Sequence, residues 1–160
     1  MCVPRACAAY CPKADLLPQG YDIDLIKNYL HVVSAEVHAN GSCTAKYKLT
    51  VPEKYCNRLG NLHGGAASTI FDIATTATLA PIARPGHWQY AGVTRSLNVH
   101  YMRPAPCGLE IEIICTVVNA GRRLATISGE IWAGGKILMT CEHLKVQIDP
   151  PLVEALASKL

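Results

Sequence analysis

The chain has few charged and few aromatic residues, and it lacks a long uninterrupted apolar run. Charged residues make up 17% of the 160 residues, aromatic residues make up 6%, and the formal net charge is +3. Half of the residues are hydrophobic, which excludes a disordered chain. So small a net charge does not argue for nucleic-acid binding, and no uncharged stretch approaches the roughly 18 apolar residues that span a membrane. We expect one globular domain with an aliphatic core.

The eight cysteines lack the pattern of a disulfide scaffold or a zinc site. Eight in 160 residues lies below the roughly 8–10% of such scaffolds, and no CxxC pair occurs. Arg5 and prolines occupy the place where a secretion signal needs an apolar run. We therefore expect a reduced, cytoplasmic protein, with organellar import left open, that uses no metal or other cofactor. Cys2, Cys7 and Cys11 could bind metal or carry a lipid, although a loose tail with free thiols is simpler.

Turn residues and hydrophobic periodicity predict two strands, one long helix and then four strands. Asn40-Gly41 is a strong hairpin signal between the first two strands, and the second strand alternates cleanly between apolar and polar residues. The order indicates an α+β fold in which one antiparallel sheet wraps around one helix. The predicted strands are 31–39, 42–51, 90–102, 109–120, 124–133 and 136–149, and short helices are predicted at 22–30 and 152–160.

The long helix is predicted from Ala66 to about Ala83, and its regular part should end near Leu79 because Pro81 breaks a helix interior. Apolar residues cover most of its circumference, which is typical of a buried helix. A sheet of this size covers only part of such a helix, so we expect a dimer.

A single charge, Asp72, interrupts this helix. Burying a lone carboxylate costs several kcal/mol unless it is hydrogen-bonded or solvated. Ser68, Thr69, Thr75 and Thr76 lie three or four residues away on the same helix face. The acid is therefore either tied by hydroxyls for structural reasons or a functional group.

The helix opens with His63-Gly64-Gly65, which leaves unpaired backbone N–H groups at the positive end of the helix dipole. Glycine lets a ligand carbonyl approach this backbone closely, and such an end can stabilise an oxyanion. A plain turn would use the same glycines.

The longer segments around these residues are more specific. The segments 57–66 and 71–76, followed by 92–105 and 121–125, resemble the hotdog-fold acyl-CoA thioesterases of the phenylacetate-degradation type. The resemblance covers about 34–148. It implies a hotdog fold assembled as a dimer, often paired into a tetramer. It divides the chain into an N-terminal extension (1–19), a hotdog thioesterase domain (20–150) and a short C-terminal helix or tail (151–160).

The resemblance also implies roles for individual residues. The Gly64 backbone N–H would polarise the thioester carbonyl, with Asn57 nearby, and Asp72 would come from the partner subunit as a general base or as the nucleophile. Thr94 would orient the water. His63 could act as a base, although fixing the loop is the simpler role.

Further residues could bind the substrate. Coenzyme A carries phosphates, which arginine and lysine side chains bind. Lys145 is therefore a candidate ligand for these phosphates, together with Arg103, Arg122 and Arg123. Arg95, on the predicted apolar face of its strand, could meet a polar substrate group or lie in water. The substrate-binding candidates in the strands, the helix and the turn are Gly65, Thr75, Thr76, Arg95, Ser96, Arg103, Arg122 and Arg123.

Two alternatives to acyl-CoA hydrolysis remain open. The same site could release an acyl or polyketide chain from an acyl carrier protein, whose acidic surface would meet Arg122, Arg123 or the N-terminal region around Lys13. The chain could also be a non-catalytic acyl-CoA-binding protein, which would not need Asp72. Cys141 and His143 share a strand face but lack further ligands, which argues against a metal site.

Overall fold

Two α-helices, two short 3-10 turns (Glu53–Tyr55 and Ala80–Ile82) and six strands are the elements of residues 22–149, the part of the chain that the computed structural model describes. The predicted order of the elements within it is confirmed. The extension 1–19 with its cysteines and the predicted helix 152–160 lie outside the described residues. The elements are α1 (Ile23–Asn28), β1 (His31–Val37), β2 (Cys43–Thr50), α2 (Gly64–Ala77), β3 (Val93–Tyr101), β4 (Glu110–Ala120), β5 (Leu124–Ala133) and β6 (Lys136–Val146).

The six strands form one antiparallel sheet in the order β1-β2-β4-β5-β6-β3. Asn40-Gly41 makes the predicted turn, where Gly41 has a φ of +81° and donates its N–H to the His38 carbonyl. The chain leaves β2, passes through α2 and returns as β3 at the far edge of the sheet. Helix α2 therefore lies against one face of the sheet and contacts β3, β4, β5 and β6.

Helix α2 begins two residues earlier than predicted, at Gly64, and its α-helical part ends at Ala77. Pro81 lies in a separate 3-10 turn, Ala80–Ile82, as its lack of an N–H would require. The face that packs on the sheet is fully buried and includes Ile70 and Phe71. The opposite face keeps partial exposure, so this sheet covers one side of the helix only.

A β-bulge decides which residues of β3 face the helix. The pairing of β3 with β6 shifts register between Thr94 and Ser96. The bulge inserts one extra residue, so Thr94 lies on the same side of the sheet as Leu97 although their numbers differ in parity. Simple alternation would have placed Arg95 there, and in the structure Arg95 is exposed at the bulge.

Candidate active site

Asp72 lies on the partly exposed face of α2, where its side chain is 47% exposed. The hydroxyl that holds it comes from β3: Thr94 Oγ1 donates to Asp72 Oδ1 over 2.8 Å. Two helix hydroxyls expected to hold the acid donate elsewhere, because Ser68 and Thr69 bond the carbonyls of Gly64 and Gly65 one turn back. The carboxylate is therefore positioned by the sheet while one side of it faces an open cavity.

His143 connects Asp72 to the interior. Its Nε2 atom lies 3.0 Å from Thr94 Oγ1 and 3.4 Å from Asp72 Oδ1, and its side chain is fully buried. Thr75 Oγ1 lies 2.6 Å from His143 Nδ1 and 2.6 Å from the Phe71 carbonyl oxygen. The Phe71 carbonyl can only accept, so the hydroxyl proton of Thr75 goes to it, and Thr75 Oγ1 in turn accepts a hydrogen bond from Nδ1–H of the neutral imidazole. Nε2 is then an acceptor, and the Thr94 hydroxyl lies within hydrogen-bond distance of both Nε2 and the Asp72 carboxylate.

Burial favours the neutral form of this histidine. Desolvation first, and the nearby charge of Lys145 second, lower the pKa of His143 from 6.5 to about 4, while the charge of Asp72 opposes them. Lys145 is itself buried, and its Nζ donates to Thr76 Oγ1 over 2.8 Å. Burial lowers the pKa of Lys145, and the charge of Asp72 works against that change.

The first turn of α2 forms the second part of the site. His63 is the N-cap, and its Nδ1 accepts a hydrogen bond from the Gly65 N–H over 3.0 Å. The His63 side chain thus fixes the loop to the helix, as one of its two expected roles requires. The Gly64 carbonyl accepts from Tyr101, whose hydroxyl also bonds Ser68. The Gly64 N–H has no acceptor among residues 22–149, which leaves it available to a ligand.

Asn57 organises the loop that leads into this turn. Its Oδ1 accepts hydrogen bonds from the backbone N–H groups of Leu59 and Asn61. Its backbone N–H donates to the Asn61 carbonyl over 2.7 Å. The oxygen of the carboxamide is therefore used by the loop, and the amide nitrogen is the part that can meet a ligand.

Two open cavities follow the partly exposed face of α2 and share Thr69. The first, of about 480 Å³, lies at the helix start beside His63 and Gly65. The second, of about 390 Å³, is lined by Asp72, Thr94 and Leu97 among others. The first helical turn at Gly65 and the carboxylate of Asp72 thus border neighbouring cavities on one side of α2. Gly64 and Asp72 are about 12 Å apart along the helix axis at 1.5 Å per residue.

The structure separates the remaining candidates into buried and exposed groups. Thr75 and Thr76 are buried and bond His143 and Lys145, and Ser96 is half-buried in β3. Lys145 was expected at the mouth of the site and lies inside the chain instead, because its strand position turns it toward the helix.

The four candidate arginines lie exposed on the surface of the chain. Arg103 donates from its guanidinium to the Ile137 carbonyl over 2.6 Å. Arg122 and Arg123 are exposed in the turn between β4 and β5, and Arg95 is exposed at the bulge.

His143 and Lys145 were not predicted to act at Asp72. The sequence held one signal for them. Residues two apart on a strand point the same way, so His143 and Lys145 form a polar pair on the strand face that also carries the apolar Cys141. The pairing of β6 with β3, which brings the pair to Asp72, could not be deduced from that pattern. Within residues 22–149 there is no cluster of three or more His, Cys, Asp or Glu side chains suited to a metal ion. In the same range, no helix has the length and apolarity needed to cross a membrane.

Comparison with known proteins identifies the family. The model of the thioesterase superfamily matches residues 59–140. Acyl-coenzyme A thioesterase 13 of Mus musculus is 33% identical over 100 residues, which cover 61% of this chain and 69% of that protein.

Solved structures show the same fold. Zebra fish thioesterase superfamily member 2 has a TM-score of 0.69 at 28% identity, covering 83% of this chain and 91% of that chain. A phenylacetic acid degradation-related protein from Ralstonia eutropha shares the fold, with a TM-score of 0.67 at 17% identity over 84% of this chain and 98% of that chain. The sheet wrapped on one helix is thus the hotdog fold, and the chain belongs to the thioesterase superfamily.

Proposed function

We propose that this protein hydrolyses acyl-CoA thioesters to a free acid and coenzyme A. Membership of the thioesterase superfamily and the likeness to a mouse acyl-coenzyme A thioesterase support the reaction and the substrate class. We place the reaction in the cytoplasm, where the thiols of the five described cysteines, all free, stay reduced.

The observation that carries the proposal is the carboxylate of Asp72, held by Thr94 at the edge of an open cavity. A carboxylate fixed on one oxygen can accept a proton from a water molecule that enters the cavity. The water oxygen then attacks the thioester carbonyl, the C–S bond breaks, and the proton held by Asp72 passes to the leaving thiolate. Thr94 serves to orient the carboxylate and the water.

The oxyanion formed in this attack needs a donor, and the free N–H of Gly64 at the positive end of α2 supplies one. The amide nitrogen of Asn57 is the second candidate donor. His63 holds the first turn of the helix in place through Gly65. Arg103, together with the exposed arginines of the β4–β5 turn, is the candidate for the phosphates of coenzyme A.

We infer that two copies of the chain build one site. About 12 Å of helix separates Gly64 from Asp72, whereas attacking water and oxyanion donor must both lie about 3 Å from the same carbonyl group. The uncovered face of α2 supports this assembly, with a dimer as the minimum and a tetramer as the larger form.

The central test removes each group with a matched control. Asp72→Asn should abolish turnover while leaving circular dichroism and oligomeric state unchanged. Gly64→Pro removes the N–H and should also abolish turnover, because proline fits the first turn of a helix and His63 already has the extended backbone, at φ −67° and ψ 137°, that precedes proline. Gly64→Ala, which keeps the N–H, should stay active, since the added Cβ would lie 3.5 Å from Tyr101. Normal acyl-CoA hydrolysis by Asp72→Asn would refute the mechanism.

Mixed oligomers test the two-copy site. When Asp72→Asn and Gly64→Pro chains are co-expressed and purified through two different tags, each mixed dimer should contain one intact site. The doubly tagged fraction should therefore regain about half of the wild-type activity, and the unseparated statistical mixture about a quarter. No recovery in the doubly tagged fraction would place the site within a single chain.

A substrate panel separates the alternatives. Turnover of carrier-linked thioesters without turnover of acyl-CoA would select the acyl carrier protein, and saturable acyl-CoA binding without turnover would indicate a binding protein. A single turnover in H₂¹⁸O, read by mass spectrometry of the protein, distinguishes the two roles of Asp72. Label in the Asp72 carboxylate indicates nucleophilic attack followed by opening of the mixed anhydride at Asp72, and label only in the product acid indicates that water attacked the acyl carbonyl.

A further inference from the structure

The short helix α1 closes one end of the first cavity. This cavity lies between α1, the segment 54–56 and the first turns of α2, which contribute Leu25, Cys56 and Ala66 to its lining. Leu25 is 2% exposed, whereas the side chain of Lys54, which lines the same cavity, is 44% exposed. Leu25 therefore lies at the closed end of the cavity and Lys54 at its mouth.

The charge of Lys54 is already compensated. Its Nζ is paired with the carboxylate of Asp24 and lies 4.5 Å from the centre of the Tyr29 ring and 5.2 Å from that of Tyr55. Among the described residues that line the cavity, Lys54 is the one lysine or arginine. An entering phosphate would therefore meet no uncompensated cation, and the lining favours an apolar group instead.

Several contacts hold α1 in place over the cavity. Within α1, Asp24 Oδ1 accepts a hydrogen bond from Asn28 Nδ2 over 2.7 Å. Tyr29, at the end of α1, meets Tyr55 edge to face, with ring centres 5.7 Å apart. Leu25 packs into the main hydrophobic core. The ion pair of Asp24 is about half exposed and contributes little, so the aromatic contact and the burial of Leu25 fix this wall.

The cavity begins beside the proposed oxyanion donor. His63 and Gly65, on either side of Gly64, both line it. A thioester carbonyl bound at the Gly64 N–H carries an acyl group on one side and the sulfur of coenzyme A on the other. The coenzyme A arm brings phosphates and amides, which need cations and hydrogen-bond partners, whereas an acyl chain needs apolar surface. The lining of the first cavity therefore fits the acyl group.

We propose that the first cavity takes up the acyl group of the substrate and that Leu25 is the specificity-determining residue that limits its length. The substrates are then thioesters of apolar acyl groups that end at α1. This inference rests on the proposed function, because it uses the position of the carbonyl at Gly64. It adds that the acyl pocket belongs to the chain that supplies the oxyanion donor and not to the chain that supplies Asp72.

The test measures kcat/KM for straight-chain acyl-CoA substrates of increasing length. In the wild type, kcat/KM should rise about fourfold per methylene until the chain reaches Leu25 and should then stop rising. Leu25→Ala, which removes three carbon atoms, should lengthen the longest chain that still gains by about two or three carbons, and Leu25→Phe should shorten it. Lys27→Ala, at an exposed position of α1, should keep the wild-type profile. Leu25 variants that lose activity equally at every chain length would overturn the inference and leave Leu25 a core residue only.

Mixed oligomers assign the pocket to one of the two chains. When Asp72→Asn and Gly64→Pro chains are paired, Leu25→Ala should change the chain-length limit on the Asp72→Asn chain, which keeps Gly64. The same substitution on the Gly64→Pro chain should leave the limit in place. A shift that follows the Gly64→Pro chain would overturn the inference.

Photolabelling locates the acyl group without a substitution at Leu25 and without hydrolysis. The probe is an acyl-CoA with a diazirine at the end of its acyl chain, bound to the Asp72→Asn protein. Mass spectrometry should find the crosslink in α1 or in the segment 54–56. A crosslink at Leu97 in the second cavity, or no specific labelling, would overturn the inference. This result is separate from the proposed reaction, whose failure would appear as a correctly labelled protein that does not hydrolyse acyl-CoA in its wild-type form.

Discussion

Replacing His143 by glutamine should remove a pH dependence from the stability of the fold. The imidazole is fully buried between Thr75 and Thr94, and burial together with the charge of Lys145 lowers its pKa from 6.5 to about 4. The amide of glutamine can also donate to one threonine and accept from the other, but it does not titrate.

The direction and the size of this pH dependence follow from the linkage between proton binding and folding. Between pH 6.5 and about 4 the unfolded chain binds a proton at His143 that the folded chain does not, so lowering the pH favours unfolding. The contribution of His143 to the free energy of unfolding is fully present above pH 6.5 and is lost as the pH falls toward about 4. One pH unit corresponds to about 1.4 kcal/mol, so the whole window amounts to about 3 kcal/mol.

Urea unfolding at a fixed protein concentration, measured at intervals from pH 7 to about pH 4, gives the free energy of unfolding of both proteins. The free energy of unfolding of the wild type minus that of His143→Gln should decline by about 3 kcal/mol across that window. Both proteins have the same carboxylates, so the contributions of these groups cancel in the difference. His100→Gln, which removes an exposed imidazole from β3, is the control substitution. Parallel curves for wild type and His143→Gln would refute the reasoning, because they would mean that the buried imidazole titrates alike in both states.

Two further predictions concern other parts of the chain. Changing Arg122 and Arg123 to alanine should raise KM for acyl-CoA and spare a short thioester that lacks the nucleotide, and equal effects on both substrates would remove the phosphate role. Gly129→Ala should lower the free energy of unfolding by about 1–3 kcal/mol, because its Cβ would lie 2.7 Å from Cys141 Sγ and 2.9 Å from Phe71 Cδ1. An unchanged urea midpoint would show that the helix can move away from the sheet at Phe71.

Local patterns predicted the elements of this fold well. The alternation of Cys43 through Leu49 gave the buried face of β2, and the hairpin at Asn40-Gly41 formed as expected. These signals are readable because they depend on residues close together in the chain. Element ends were less accurate: the long helix was predicted to end near Leu79, and its α-helical part ends at Ala77.

The site could be predicted only in part, for the opposite reason. Asp72 and Gly64 stand out locally, as a lone acid in an apolar helix and a glycine at its start. Thr94 was suggested by the family resemblance and is placed beside Asp72 by a bulge that simple alternation does not foresee. Which residues of β6 face the acid depends on a strand register set 49 residues further along the chain than Thr94, at His143.

The buried polar groups explain why these residues belong together. Within residues 22–149, every buried side-chain nitrogen and oxygen has a hydrogen-bond partner. His143 and Lys145 find theirs in Thr75 and Thr76, one turn beyond Asp72, and the second partner of His143 is Thr94. Loss of Thr75 leaves buried His143 Nδ1 without its partner, and loss of Thr76 does the same to Lys145 Nζ, so substitutions in this network should combine non-additively. Since these contacts end at a carboxylate that faces an open cavity, the same packing that satisfies the interior also fixes the proposed base.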